Sequence, residues 1–134
     1  MSRLSLFLIA LVGASMAACA APPPPSSAEL MDKVTSTIGD AACDQPDQCR
    51  VIAIGNKPCG GPSGYRAWST QGTDAAALQA AVLAQAAAEQ RANAASGMRS
   101  TCNIVPVPTA SCRPRASDGK KTCQLDPASL RGLD

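Results

Sequence analysis

Seven cysteines have the widest choice of chemistry in this 134-residue chain, because a thiol can act as a nucleophile, a metal ligand or one half of a disulfide. They are Cys19, Cys43, Cys49, Cys59, Cys102, Cys112 and Cys123. No two are spaced as Cys-x-x-Cys and the chain contains no His, which argues against zinc and thioredoxin-like motifs. We therefore predict disulfides and no metal, and since seven is odd, one cysteine needs another role.

Catalytic side chains are scarce. Ser and Thr hydroxyls have no His to act as their base, and oxidised cysteines offer no thiolate. Asp44 and Asp47 are a candidate carboxylate pair, but their short, Pro-containing loop between two cysteines favours solvated turn residues. We predict that the protein is not an enzyme and uses no cofactor. A formal charge of +2 and an aromatic content of 2% argue against nucleic-acid binding.

The first 18 residues have the pattern of a signal peptide. Arg3 precedes an apolar run at residues 4–12, and small residues follow it. The run is much shorter than the roughly 20 apolar residues that a membrane-spanning helix needs. The sequence therefore predicts export.

Residues 16–19, Met-Ala-Ala-Cys, resemble the lipobox of bacterial lipoproteins, with Met16 where the family usually has Leu. The resemblance implies that Cys19 is lipidated and becomes the new N-terminus, which leaves six cysteines that can pair completely. Ala20 after the lipidated residue implies sorting to an outer membrane. The alternative is ordinary cleavage at the Ala-x-Ala sequence of residues 18–20, which releases a soluble periplasmic or secreted protein.

Residues 19–27 are predicted to be a tether, because the four prolines at 22–25 favour an extended polyproline II segment. Residues 28–39 are predicted to be a short amphipathic helix with a capping box at its start and Gly39 at its end. We expect its apolar stripe to dock on the following domain rather than to bind a partner. The stripe consists of Leu30, Met31, Val34 and Ile38.

Residues 40–126 are predicted to form a disulfide-stapled α+β domain with a short antiparallel sheet, one long Ala-rich helix and a C-terminal β-hairpin. A flexible tail at 127–134 is expected to follow. Large apolar side chains are few, and small exported domains use bridges where core is lacking. Six cysteines allow 15 pairings, and the sequence selects none. Our working pairing is Cys43 with Cys49, Cys59 with Cys102, and Cys112 with Cys123.

Two strands, a Gly-rich loop and a hairpin are predicted within this domain. Residues 49–54 favour a buried strand and 65–69 a second one, separated by a Gly- and Pro-rich loop at 57–64. Residues 102–108 are predicted to be an edge strand that Pro106 interrupts. The sequence Asp118-Gly119 predicts a hairpin that places Cys112 opposite Cys123. The order of these features over residues 40–125 resembles a group of short exported bacterial proteins without assigned activity, which implies the same fold and no mechanism.

The long helix is predicted to begin after a cap at Thr73-Asp74, to run from Ala75 to Asn93 and to stop by Gly97. Seven alanines share one side, and we predict that this side packs, because alanine allows close approach. The alternative is that the apolar residues of the other side bind a partner. The alanines are Ala76, Ala77, Ala80, Ala81, Ala84, Ala87 and Ala88, and the apolar residues opposite are Leu78, Val82 and Leu83.

Two surfaces are candidates for binding. A loop pinned by a disulfide could present Lys57 to a trypsin-like protease, because a preorganised loop loses little entropy on binding. The loop lacks a Walker Gly-Lys-Ser ending, which disfavours phosphate, and its glycines and prolines are also explained by a turn that contacts Trp68. The loop candidates are Lys57, Pro58, Gly60, Gly61 and Trp68.

The C-terminal hairpin is the second surface, with a local charge of +3 from four cations and Asp118. Such a patch could meet anionic lipid or an acidic envelope polymer, although charges on an exposed hairpin also prevent aggregation. The cations are Arg113, Arg115, Lys120 and Lys121. Together these patterns predict a lipid-anchored envelope protein that acts as a binding or structural module, with the membrane and an envelope protein or anionic polymer as its partners. The alternative is a soluble exported protease inhibitor that uses the loop from Lys57 to Pro62.

Overall fold

The protein is α+β, as its sequence predicts. The computed structural model describes residues 21–99 and 102–126, so the predicted signal peptide, Cys19 and the predicted tail lie outside the described residues. In chain order the elements are α1 (Ser27–Ile38), a 3-10 turn (Pro46–Gln48), β1 (Cys49–Ile54), β2 (Gly64–Ser69), α2 (Ala75–Ser96), β3 (Ala110–Pro114) and β4 (Lys121–Leu125). Within the described ranges, neither helix has the length and apolarity needed to cross a membrane.

Helix α1 begins where the predicted capping box lies. The Ser26 hydroxyl accepts a hydrogen bond from the Glu29 amide at 3.2 Å, and the Ser26 amide donates to the Glu29 carboxylate at 2.7 Å. The hydrogen bond from the Ser26 side chain, followed by that from its backbone, holds the pKa of Glu29 below its usual value. Gly39 ends the helix with a left-handed φ of 60°. Residues 21–26 before it are exposed and have neither helix nor strand.

Helices α1 and α2 run antiparallel and enclose the main core. The Thr73 hydroxyl, just before α2, donates to the Ile38 carbonyl at the end of α1, and the Gln85 side-chain amide lies 3.2 Å from the Ser27 hydroxyl at the start of α1. The core cluster contains Val34, Ile38, Ile54, Leu78, Ala81 and Val82. The stripe of α1 therefore docks on the domain, as predicted.

Helix α2 packs mainly through the side opposite the one predicted to pack. Its buried residues are Leu78, Ala81, Val82, Gln85 and Ala88. The predicted packing of the alanine face is wrong, because five of its seven alanines are exposed: Ala76, Ala77, Ala80, Ala84 and Ala87. The branched side chains fill the gap to α1 and β1, which a methyl group would leave open. Leu78 and Val82 are thus unavailable to a partner, and Leu83 alone is exposed, at 61%.

The strands form two antiparallel pairs. β1 pairs with β2 from Cys49 opposite Ser69 to Ile54 opposite Gly64, so both predicted strands are confirmed. β1 is less buried than predicted, since only its two end residues are inaccessible. β3 pairs with β4 as the predicted hairpin, and Cys112 lies opposite Cys123.

Residues 102–108 do not form the predicted edge strand. They have no regular secondary structure, and Ile104 is 92% exposed. Pro106 and Pro108 have no amide hydrogen to give to a neighbouring strand, and the adjacent turn at 57–61 makes its backbone hydrogen bonds within itself.

Three disulfides connect the halves of the chain: Cys43–Cys112, Cys49–Cys123 and Cys59–Cys102. The predicted pairing of Cys59 with Cys102 is confirmed. The predicted pairings of Cys43 with Cys49 and of Cys112 with Cys123 are wrong. The reason is a short stretch at 41–43 that lies along β4, where Cys123 donates its amide to the Ala41 carbonyl at 2.8 Å. This stretch and β1 bring Cys43 and Cys49 to the hairpin, whose own backbone hydrogen bonds already hold Cys112 and Cys123 in register.

Cys43, Cys49 and Cys123 are buried and form a second core cluster beside the helical one. Their clustering places three sulfurs together, but each of these sulfurs is in a disulfide. Within the described ranges, every helix, strand and bridge lies between residues 26 and 126. A chain that begins at Ala21 therefore keeps all of them.

Asp126 closes the open end of the C-terminal hairpin. Its carboxylate accepts hydrogen bonds from the hydroxyls of Ser111 at 2.7 Å and Thr109 at 3.0 Å, and lies 3.2 Å from the guanidinium of Arg113. The Ser111 hydrogen bond is the main cause that lowers the pKa of Asp126 below its ordinary 3.8; desolvation opposes it, and Thr109 and Arg113 reinforce it.

We expect Asp126→Asn to lower the urea midpoint of unfolding more at pH 7 than at pH 3. Because the folded-state pKa of Asp126 is lower than its unfolded value, the ionised carboxylate stabilises the fold above about pH 4, and this stabilisation is lost as the pH falls through the folded-state pKa. The control is Asp32→Asn on the exposed side of α1, which should change the midpoint little at either pH. A deficit in Asp126→Asn that is as large at pH 3 as at pH 7 would contradict the role of the charge.

Candidate functional site

The predicted Gly-rich loop is a tight turn at the end of the β1–β2 hairpin. The Lys57 amide donates to the Gly61 carbonyl at 2.9 Å, and the Gly60 amide donates to the Lys57 carbonyl at 2.8 Å. Gly60 and Gly61 have φ values of 88° and 79°, where residues with a Cβ are strained. The glycines are therefore explained by the turn.

The base of this turn is attached to α2 by two polar side chains that the sequence analysis did not single out. The side-chain carbonyl of Gln85 accepts a hydrogen bond from the Gly55 backbone amide at 2.8 Å. The Glu89 carboxylate accepts from the Asn56 amide at 3.0 Å and from the Ser63 hydroxyl at 2.8 Å. Gln85 is only 2% exposed. The one signal in the sequence for this attachment is that Gln85 and Glu89 follow Leu78 and Val82 at helical spacing.

We expect Gly55→Ala to destabilise the protein by about 3 kcal/mol. Gly55 has a φ of 73°, and an added methyl group would lie 2.6 Å from the Ser63 hydroxyl and closer still to the Glu89 carboxylate. The measurement is urea unfolding. Gly97→Ala is the matched control, because Gly97 has a φ of 61° with open space around it, so about 1 kcal/mol of backbone strain is expected. Equal losses in both variants would contradict the close contact with Glu89.

The turn also holds the irregular segment at 102–107 through three connections. Cys59 forms a disulfide with Cys102, and the Lys57 ammonium donates to the Asn103 carbonyl. The Tyr65 hydroxyl lies 3.4 Å from the Val105 carbonyl, to which it donates. Between the turn and the segment is a groove of about 360 Å³.

A second cavity, of about 510 Å³, lies on the other side of the same turn, against the C-terminal end of α2. Asn93 and Met98 line it, and the Asn93 amide donates to the Asn56 carbonyl at 2.7 Å. Lys57 and Gly60 line both cavities. The turn therefore separates two concave surfaces.

The predicted exposure of Lys57 to a protease has to be set against this geometry. Its ammonium is hydrogen-bonded to the Asn103 carbonyl, and its backbone lies in a turn closed by two hydrogen bonds. A trypsin-like protease would have to pull the side chain away from Asn103. This arrangement does not favour the inhibitor hypothesis.

Trp68 does not lie at the turn. It stands opposite Arg50, toward the far end of β2 from Gly64, and packs against the helical core. The predicted contact between the loop and Trp68 is therefore wrong, and Tyr65 takes that position instead. The reason is the register of β2, which runs away from the turn for four residues before Trp68.

The predicted basic patch is smaller than its sequence suggests. The guanidinium of Arg113 lies near Asp126, and that of Arg115 lies 3.8 Å from Asp40 and 3.7 Å from Asp118. Lys120 and Lys121 are exposed, and among the described residues neither has an ion-pair partner. Of the four predicted cations, Arg113 and Arg115 are therefore paired with acids, and Lys120 and Lys121 make up the rest of the patch.

Asp44 and Asp47, the candidate carboxylate pair, are both exposed around the short 3-10 turn. The Asp44 carboxylate accepts a hydrogen bond from the Gln71 side chain at 2.8 Å.

Comparison of the chain with models of protein families, with curated proteins and with solved structures finds no match. The function has therefore to be inferred from the geometry of the chain itself.

Proposed function

We propose that the protein is a membrane-tethered envelope lipoprotein whose folded domain acts as a binding or structural module. The observation that supports this is the complete pairing of the six cysteines from Cys43 to Cys123. None of them is left to pair with Cys19, the lipobox-like residue that precedes the prolines at 22–25. A lipidated Cys19 gives the seventh cysteine its role.

The three bridges also support export. Disulfides persist in oxidising compartments such as the periplasm and the cell exterior and are reduced in the cytosol. Residues 21–26 are exposed and precede α1 without helix or strand, which suits a spacer between an anchored residue and the domain. The two lysines of the hairpin and the concave surfaces around the turn are available to an envelope protein or anionic polymer.

The test is the intact mass of the protein purified from its native membranes, measured before and after reduction and alkylation. We expect an acyl-modified Cys19 at the N-terminus and six thiols that become alkylatable only after reduction. An unmodified chain that begins at Ala20 or Ala21 and occurs wholly in soluble fractions would overturn the anchor.

A matched pair of variants tests the anchor in cells. Cys19→Ser should abolish the acyl modification. The double variant Cys59→Ser with Cys102→Ser changes two cysteines of the exposed bridge and should leave both the acyl group and the membrane fraction unchanged. Acylation that persists in Cys19→Ser would place the modification elsewhere and contradict the proposal.

A further inference from the structure

Exposed large apolar side chains are concentrated around the turn at 57–61. The described part of the chain has five of them, and four lie here: Met98 at 60%, Ile104 at 92%, Val105 at 40% and Val107 at 71% exposure. Met98 lines one cavity and the other three line the groove, with Lys57 and Gly60 common to both. These four residues lie on the two sides of the turn, and together with the turn we call them the apolar tip. An exposed apolar surface of this kind marks a place of interaction.

The surroundings of the apolar tip carry positive charge. Lys57 belongs to it and Arg99 directly follows Met98, and no acidic residue occurs at 48–73 or 90–107. The nearest acid is Glu89, whose carboxylate accepts hydrogen bonds from Asn56, Ser63 and Gln85. Asp74 caps the opposite end of α2. The tip therefore combines apolar side chains with unopposed cations, which is the combination that binds an anionic lipid surface.

The predicted tether leaves the domain on the side of the apolar tip. Because α1 and α2 are antiparallel and Ser27 lies beside Gln85, the chain before α1 starts next to the middle of α2, beside the residue that also holds Gly55 at the base of the turn. From Gln85 to Met98 is about 20 Å at 1.5 Å per helical residue. The seven Cα–Cα steps from Cys19 to Ser26 can span at most about 25 Å. An anchor at Cys19 can therefore lie level with the tip.

We propose that the apolar tip docks on the surface of an anionic phospholipid bilayer, with its apolar side chains at the level of the acyl chains and its cations at the headgroup phosphates. The bilayer contact stands on the tip alone, whereas its role as a second attachment beside the acyl chain rests on the proposed function. A lipid anchor holds the tip at high effective concentration near the membrane, so a weak contact suffices to orient the domain.

The test uses the oxidised chain from Ala21 to Asp134, which keeps every described helix, strand and bridge and carries no acyl group. The probes are vesicles of phosphatidylglycerol with phosphatidylethanolamine, and vesicles of phosphatidylcholine, in a sedimentation assay. We expect binding to the anionic vesicles that weakens as salt is raised. The double variant Ile104→Asn with Val107→Asn should bind them at least about tenfold more weakly.

Matched controls come from the same molecule. Leu83→Asn removes the fifth exposed apolar residue, on the outer side of α2, and should change binding less than about twofold. Arg99→Gln should weaken binding to anionic vesicles, whereas the equal charge change of Lys120→Gln should have little effect. The circular dichroism of each variant should match that of the parent chain, which shows that a change in binding is not caused by a change in fold.

Three results would overturn the proposal: no binding to anionic vesicles, a loss in Leu83→Asn as large as in the tip variant, or a tip variant that binds vesicles normally but loses a protein partner. These results are separate from those of the mass measurement. An acylated native protein whose unacylated chain does not bind vesicles would leave the anchor and refute the tip. An unacylated native protein that binds them would do the reverse.

Discussion

Replacement of Cys49 and Cys123 by alanine is expected to leave the protein unfolded at 37 °C, the largest loss we predict. Their bridge joins residues 74 apart, and because Cys43–Cys112 still closes a similar loop, its removal stabilises the unfolded chain entropically by about 3 kcal/mol. Both residues are also buried in the second core cluster, so the variant loses packing as well. The free energy of unfolding of a small domain is only about 5 to 15 kcal/mol in total. Circular dichroism with thermal and urea unfolding measures the effect.

The control is Cys59→Ala with Cys102→Ala. That bridge joins residues 43 apart, and the chain-entropy argument gives it about 4 kcal/mol, because the cost depends only on the logarithm of the loop length. Both cysteines are exposed, however, and the segment that they hold has no strand and lies outside both core clusters. We expect this variant to fold, with a lower midpoint. A control that unfolds while Cys49→Ala with Cys123→Ala stays folded would contradict the assignment of the cores.

The pairing of the cysteines shows where prediction from the sequence stops. The hairpin around Asp118-Gly119 was predictable because a turn is a local property, and Cys112 and Cys123 do lie opposite each other. Their partners are not local. Cys43 and Cys49 reach the hairpin because residues 41–43 lie along β4, and no spacing in the sequence contains that contact.

Helix boundaries were predictable for the same reason that the hairpin was. The Ser26 and Glu29 capping box and the Asp74 cap are hydrogen bonds between residues two or three positions apart, so the sequence holds all the information they need. The end of α2 was placed three residues early, at Asn93 instead of Ser96, since only Gly97 marks the stop.

In the candidate site, the turn was predictable from the sequence, but its attachment to α2 and the conformation of the segment beside it were not. The glycines of the turn at 57–61 were identified because positive φ values demand them. The attachment of that turn to α2 was missed, since Gln85 and Glu89 are polar residues that a hydrophobic pattern assigns to solvent. The segment at 102–108 was predicted to be a strand from its apolar residues, yet a strand needs a neighbour with free backbone groups, and the sequence does not say which neighbour it has.

The face that α2 presents to the core makes the second large prediction. Leu78→Ala should cost about 4 kcal/mol, because Leu78 has no exposed surface and its loss leaves a cavity between α1 and β1. Leu83→Ala, on the same helix with a side chain 61% exposed, should cost less than about 0.5 kcal/mol. Urea unfolding of both variants gives the comparison.

Two alanines of the same helix give the reciprocal experiment. Ala81 is 8% exposed and belongs to the core cluster, so Ala81→Leu should destabilise by about 2 kcal/mol through overpacking. Ala80 is exposed, and Ala80→Leu should be nearly neutral. If Ala80→Leu and Leu83→Ala were the damaging changes, the side of α2 that carries Ala80 and Leu83 would face the core instead. Sensitivity at Leu78 and Ala81 instead identifies the side that carries Leu78, Ala81 and Val82 as the one that closes the core.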